Sequence, residues 1–149
     1  MSRSGYTDDL ETWDLIKWRG QVASAIRGRR GQIFLIDLLA ALDAMPEKVL
    51  IVDDLQDAEG DVCAIGALGR ARGIDMSKID PEDPPQVAAA FDIAEQLAQE
   101  VVYENDEWSR SETPQQRWTR MRRWVESRIL KSDAVIAHVE PAQPDVKTD

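Results

Sequence analysis

A chain of 149 residues, 43% hydrophobic and 31% charged, suits one domain large enough to bury a core. Its formal charge of −10 argues against a general nucleic-acid binder, whose footprint is basic, and no apolar run approaches the ~20 residues of a membrane-spanning helix. The polar, acidic start MSRSGYTDDLETWD is unlike a signal peptide, and the single cysteine, Cys63, excludes an intrachain disulfide, so a cytoplasmic protein is expected.

The charge is segregated. Residues 43–107 hold 17 acids against 4 bases, whereas residues 17–31 hold 5 bases and no acid and residues 108–131 hold 7 bases and 2 acids. Either the basic segments pack beside the acidic centre and neutralise it, or the two signs mark separate recognition faces.

Residues 1–9 are expected to be a flexible N-terminus. From about Leu10 to Arg27, the spacing of Trp13, Ile16, Val22, Ala23 and Ile26 predicts an amphipathic helix with that stripe inward and Trp18 at its edge. Gly28 is read as a left-handed helix end. A second helix from about Gln32 to Ala44 is apolar nearly all round, which places it in the core or in a core plus an oligomer contact. Arg29 and Arg30 then stand at a helix N-terminus, as a solvated basic turn or as a contact for an anion.

Lys48 to Val52 has the β-branched character of a buried strand. Asp53, Asp54, Asp57, Glu59 and Asp61 form an acidic turn, and Val62 to Ile65 is the expected return strand of a small hairpin. The acids lack the spacing of a calcium loop, with no bidentate glutamate at the required distance, so no metal is assigned. CAIGALGRARG, Cys63 to Gly73, follows as a short, closely packed helix in which Gly66 and Gly69 admit a near neighbour. It has neither the lysine–hydroxyl ending of a P-loop nor G-x-G-x-x-G, and no cofactor is assigned. The one histidine, His138, lies in the C-terminal tail, which leaves Cys63 without a general base.

Asp75 to Pro85 is a proline-rich connector, with Pro81, Pro84 and Pro85 excluding a helix interior. Gln86–Phe91 and Ala94–Glu104 are two further helices, Ile93, Leu97 and Val101 facing inward. The pair has a helix-turn-helix outline, but its second member carries Glu95, Glu100 and Glu104 and no base, which phosphates would repel. Asn105 is expected to cap it in a left-handed conformation. Thr113-Pro114-Gln115-Gln116 spells a capping box with proline at the first helical position. The helix it opens runs to about Lys131, with Trp118 and Met121 buried and Arg117, Arg120, Arg122, Arg123 and Arg128 outside. Residues 132–149 are expected to be a mobile tail.

RGRRGQIFLIDLLAALDAMPEKVLI, VCAIGALGRARGIDMSKIDPEDPPQVAAAFDIAEQLAQEVVYENDE and ETPQQRWTRMRRWVES together resemble a widespread set of small phage and prophage proteins of unassigned function, over roughly residues 12–131. A looser likeness runs to another uncharacterised phage group. The resemblance transfers no site residues.

These readings give a mainly α (α+β) fold, a single globular domain over residues 10–131 with about five helices and one small β-hairpin packed on the helical core. The expected function is non-enzymatic: a phage accessory protein that binds a host protein, in a counter-defence (anti-CRISPR-like) role against a nucleic-acid-binding immune complex. Its acidic contacts are Asp53, Asp54, Asp57, Glu59, Asp61, Glu95, Glu100 and Glu104. The alternative is a nucleic-acid-associated factor using Arg29, Arg30, Arg117, Arg120 and Arg123. No membrane partner is expected, and a homo-oligomer fits the apolar second helix.

Overall fold

The computed structural model describes Arg3, Ser4, residues 12–107 and residues 111–130. These hold six α-helices: α1 (Thr12–Arg27), α2 (Arg29–Ala44), α3 (Ala64–Arg72), α4 (Pro84–Phe91), α5 (Glu95–Asp106) and α6 (Pro114–Arg128), with a 3-10 turn at Met76–Lys78. None is long and apolar enough to cross a membrane.

The centre is α2. Its Phe34, Leu35, Leu38 and Leu42 are buried, and α1, α3 and α6 pack around it, so its apolar circumference is used within one chain. Gly28 precedes it in an extended conformation (φ −69, ψ 165), not the left-handed one expected, and α2 therefore starts at Arg29. Gln32 is 1% exposed at the corner beyond. Its amide nitrogen donates to Ile26 O (2.7 Å) and Arg128 O (3.1 Å), and its Oε1 accepts from Leu130 N–H (2.9 Å), tying the ends of α1 and α6 to α2.

The inward face of α1 keeps the later part of the expected stripe, Val22, Ala23 and Ile26, but not its start. Trp13 and Ile16 are 73% and 59% exposed, whereas Val22 is buried and Trp18, Ala25 and Ile26 are half-buried. Both sets have helical spacing. The helix lies on α5 and α2 and meets them with the Trp18–Val22–Ala25 side, about half a turn away.

Among the described residues there is no β-strand, and the hairpin expected between Val49 and Ile65 is corrected to a pair of crossing loops. One antiparallel bridge joins Gln56 to Val62, Ile51 N–H donates to Val62 O (3.0 Å), and Cys63 N–H donates to Leu55 O (3.2 Å). The physical reason is competition for the backbone. Leu50 N–H donates to Pro114 O, Asp53 turns the chain in a left-handed conformation (φ 72), and helix begins at Ala64, inside the would-be return strand. Leu50, Leu55 and Val62 are apolar because they fill the core, not because they alternate on a sheet.

The start of α3 explains Gly66. A Cβ there would lie 1.9 Å from the Leu55 carbonyl oxygen, so the loop lies directly on the helix. Gly69 is instead approached by side chains, those of Met76 and Phe91. Cys63 caps the helix, its Sγ accepting from Gly66 N–H (3.3 Å), and Gly73 ends it in the left-handed conformation (φ 73).

Asp92 (φ 55) makes the turn between α4 and α5, burying Ile93. Asn105, expected as a left-handed cap, is a buried member of α5. It accepts from Ala64 N–H (3.1 Å) and donates to Ile51 O (2.9 Å), fastening both ends of the loop segment to the helix. The capping box of α6 is present as read: Thr113 Oγ1 accepts from Gln116 N–H (3.1 Å), and Gln116 Oε1 accepts from Thr113 N–H (2.9 Å). The tail over 132–149 lies outside the described residues, as does most of 1–9. Arg3 and Ser4 depart from the expected loose start: they are 5% and 0% exposed, against the end of α5.

Candidate functional site

The acidic turn is tightly organised. Asp57 is its hub: its carboxylate accepts from Glu59 N–H (3.0 Å) and Asp61 N–H (2.9 Å), its own N–H donates to Asp61 O (2.9 Å), and its carbonyl accepts from Gly60 N–H (3.0 Å). Such side-chain-to-backbone bonds are what aspartate offers a turn. Arg70 of α3 clamps the tip by donating to Gly60 O (3.0 Å). At the root, Asp53 N–H donates to Asp106 Oδ1 (3.4 Å). The frame leaves Asp53, Asp54 and Glu59 exposed and Asp57 and Asp61 half-buried.

A second acidic segment faces this turn. Asp54, Leu55, Gln56 and Asp57 form one wall of an open groove of about 350 Å³, and Met76, Ser77, Ile79 and Pro81 form the other. Around the second wall stand Asp75, Asp80, Glu82 and Asp83, all exposed. Each aspartate also builds its local turn. Asp75 accepts from Ser77 Oγ (2.6 Å) and N–H (3.2 Å), and these bonds hold its carboxyl below the usual range. Asp80 accepts from Glu82 N–H (2.9 Å), and Asp83 caps α4 through Gln86 N–H (3.3 Å). These four acids were missed in the sequence, where the segment reads as a proline-rich connector. The signal was present in the count of 17 acids over residues 43–107, of which the turn supplies only five.

The acids of α5 do not extend this surface. Glu95 is exposed but sits at the opposite end of α5 from Asp106, about 16 Å along the axis at ~1.5 Å per residue. Glu100 is buried (7% exposed), which corrects its assignment as a partner contact. Glu104 is half-buried and turned toward α6. Burial and the Glu100 carboxylate raise its pKa, against the opposing charge of Arg120, whose Nη1 is 3.7 Å away.

The basic candidates divide. Arg117, expected outside, is buried, donating to Leu50 O (2.8 Å) and Glu112 O (3.2 Å), which corrects its assignment. Arg120 forms a bidentate pair with Glu112 (2.6 and 2.9 Å) and holds the Glu112 carboxyl below its usual range. Arg29, Arg30 and Arg123 are exposed, Arg30 within 3.2 Å of Asp92. Among the described residues no three His, Cys, Asp or Glu side chains are grouped to hold a metal.

Comparison with protein-family models, with curated proteins and with solved structures returned no match. The functional reading therefore rests on the chain's own geometry. That geometry is a groove lined by Leu55, Met76 and Ile79 with Asp54 and Asp57 on one wall, while the exposed Asp75, Asp80, Glu82 and Asp83 flank the other wall along the chain. The backbone of the turn is fixed by the Asp57 carboxylate, and the exposed carboxylates it carries are suited to meeting the cations of a partner.

Proposed function

We propose that this chain is a non-enzymatic phage or prophage accessory protein that binds a basic surface of a host protein, through the acidic turn and the connector that faces it. The role proposed is counter-defence, in which exposed carboxylates on a fixed frame take the place of the phosphates of DNA or RNA in the basic groove of an immune complex. One observation carries the reading: the groove sets Asp54 and Asp57 opposite residues 76–81, a segment flanked by the exposed Asp75, Asp80, Glu82 and Asp83. The contacts are Asp53, Asp54, Asp57, Glu59 and Asp61 with Asp75, Asp80, Glu82 and Asp83.

The test is capture of host proteins on the immobilised chain, against a variant with Asp54→Lys, Glu59→Lys and Glu82→Lys. These three acids are exposed, so the helical circular dichroism should be retained. The expected result is loss of a basic partner, with wild-type association slowing steeply as salt rises. Equal capture by the two proteins would overturn the reading.

The exposure of Arg29, Arg30 and Arg123 supports the second reading, a nucleic-acid-associated factor. Three phosphate contacts give a shallow salt slope, about a third of that of a ten-contact repressor. A gel shift at low salt that Arg29→Glu with Arg30→Glu abolishes would favour it over the first.

A further inference from the structure

Trp13 and Ile16 are the most exposed large apolar side chains among the described residues, at 73% and 59%. They share one side of α1 with Lys17 and Gly20, at positions i, i+3, i+4 and i+7, and these two are exposed as well. The opposite side, Trp18, Val22 and Ala25, is the one that packs on α5 and α2. Gly20 is the informative member, because glycine inside a helix is unfavourable relative to alanine. At Gly31, Gly66 and Gly69, the other described helical glycines, a Cβ would meet an atom of the chain at 1.9, 1.9 and 2.6 Å. At Gly20 it would meet nothing within 4 Å. No contact inside the chain requires a glycine there, and the missing side chain leaves room for something from outside.

We propose that this side of α1 binds a second copy of the chain, the two α1 helices lying antiparallel across a two-fold axis with Trp13 of each copy seated on Gly20 of the other.

A two-fold contact needs a surface that is complementary to itself, and this one is. With the axis between Ile16 and Lys17, residues 13 and 20 lie level, so the largest side chain of the stripe meets the position that has none, and Ile16 meets Ile16. A parallel pair would instead stack Trp13 on Trp13 and leave a gap at each Gly20. Charge agrees with the antiparallel register. Asp14 and Lys17 are exposed on one flank of the stripe, and the axis brings like flanks together, so Asp14 of each copy stands beside Lys17 of the other. The acidic segments at 53–61 and 75–83 would set carboxylate against carboxylate in such a contact, whereas residues 13–20 hold one acid and two bases. None of the residues of the acidic groove takes part, so the contact does not depend on what that groove binds. One helix pair buries less than the ~1,200 Å² of a stable complex, and the dimer is therefore weak.

The experiment is sedimentation equilibrium of the full chain at concentrations from ~10 μM to ~1 mM, the range in which a weak contact populates. The average mass should rise from that of one chain towards that of two. Ile16→Asp should weaken the association at least about tenfold, and so should Gly20→Leu, which fills the gap. Both positions are exposed, so the helical circular dichroism should be retained, and Gly20→Leu should leave the melting temperature of the dilute protein equal or higher. Lys17→Asp should weaken the dimer, and adding Asp14→Lys to it should restore most of the loss. A single-chain mass at every concentration would leave this side of α1 to another protein or to residues 132–149, and would overturn the dimer. Association that Ile16→Asp and Gly20→Leu leave unchanged would overturn it too, and a charge swap that restores nothing would overturn the antiparallel register.

Discussion

Gly66 and Gly69 look alike in CAIGALG and do different work. A methyl group at Gly66 meets a backbone oxygen, Leu55 O, at 1.9 Å, while one at Gly69 meets the flexible end of Met76 at 2.6 Å and Phe91 at 3.1 Å. Gly66→Ala should therefore cost about 3 kcal/mol or more and Gly69→Ala about 1–2 kcal/mol, read from urea midpoints. Equal costs would mean that the Leu55 loop does not lie on α3 as described. A second pair of residues sets a pH signature. Arg120 holds the folded-state pKa of Glu112 below the ordinary 4.5, so the folded chain binds this proton less readily than the unfolded chain. The resulting stability is present above pH 4.5 and is lost as pH falls through the lowered folded value. Glu104 has the opposite sign. Burial first, and then Glu100, raise its folded pKa, so its contribution is full below 4.5 and is lost as pH rises through the raised value. Stability measured from acid to neutral pH should lose part of its acid-side fall in Glu112→Gln and part of its decline above pH 4.5 in Glu104→Gln.

At the scale of elements, α6 shows what local chemistry dictates. Its capping box uses atoms within four residues, so the bonds of Thr113 and Gln116 follow from TPQQ alone. Thr113→Ala should cost about 1 kcal/mol, with the first turn of α6 exchanging its amide protons faster. A loss below the error of the measurement would show that Pro114 and packing suffice. The end of α4 at Phe91 was legible, but its start was not: Asp83 and the prolines after it read as connector, whereas Asp83 caps the helix and Pro84 and Pro85 open it, two residues before the expected Gln86. The rest of what was not legible depended on partners far along the chain. The Trp13–Ile16 and Trp18–Val22 sides of α1 carry the same period, and only the placement of α2 and α5 decides between them. The run Val49 to Val52 has strand composition, yet Leu50 gives its N–H to Pro114, 64 residues later. Glu95, Glu100 and Glu104 form one acidic series in the sequence, but at ~3.6 residues per turn Glu95 points well away from the other two.

Over the whole molecule, segregated charge turns out to be partly internal accounting. Arg30 with Asp92, Arg72 with Asp37 and Arg122 with Asp43 each set a base beside an acid distant in sequence, and Arg120 pairs with Glu112 within the approach to α6. The exposed pairs among them stabilise little, on the order of 0–1 kcal/mol each. They offset part of the basic charge of the helices, while the turn of residues 53–61 keeps its exposed Asp53, Asp54 and Glu59. Half of the proposed contact surface, the turn, was legible in the sequence; the connector was not, because its aspartates serve as caps and turns and so resemble structure alone.

Gln32 ties the ends of α1 and α6 together, and that makes it a mechanical element. A load applied at the C-terminus enters the described fold at Leu130, whose N–H is held by Gln32 Oε1, and the same amide grips Arg128 O and Ile26 O. Tension is thereby passed to the α1–α2 corner before it peels α6 from its apolar bed. In single-molecule pulling, Gln32→Leu should remove this shear point and let α6 unzip at lower force, while an unchanged rupture force would place the resistance in the packing of α6 instead.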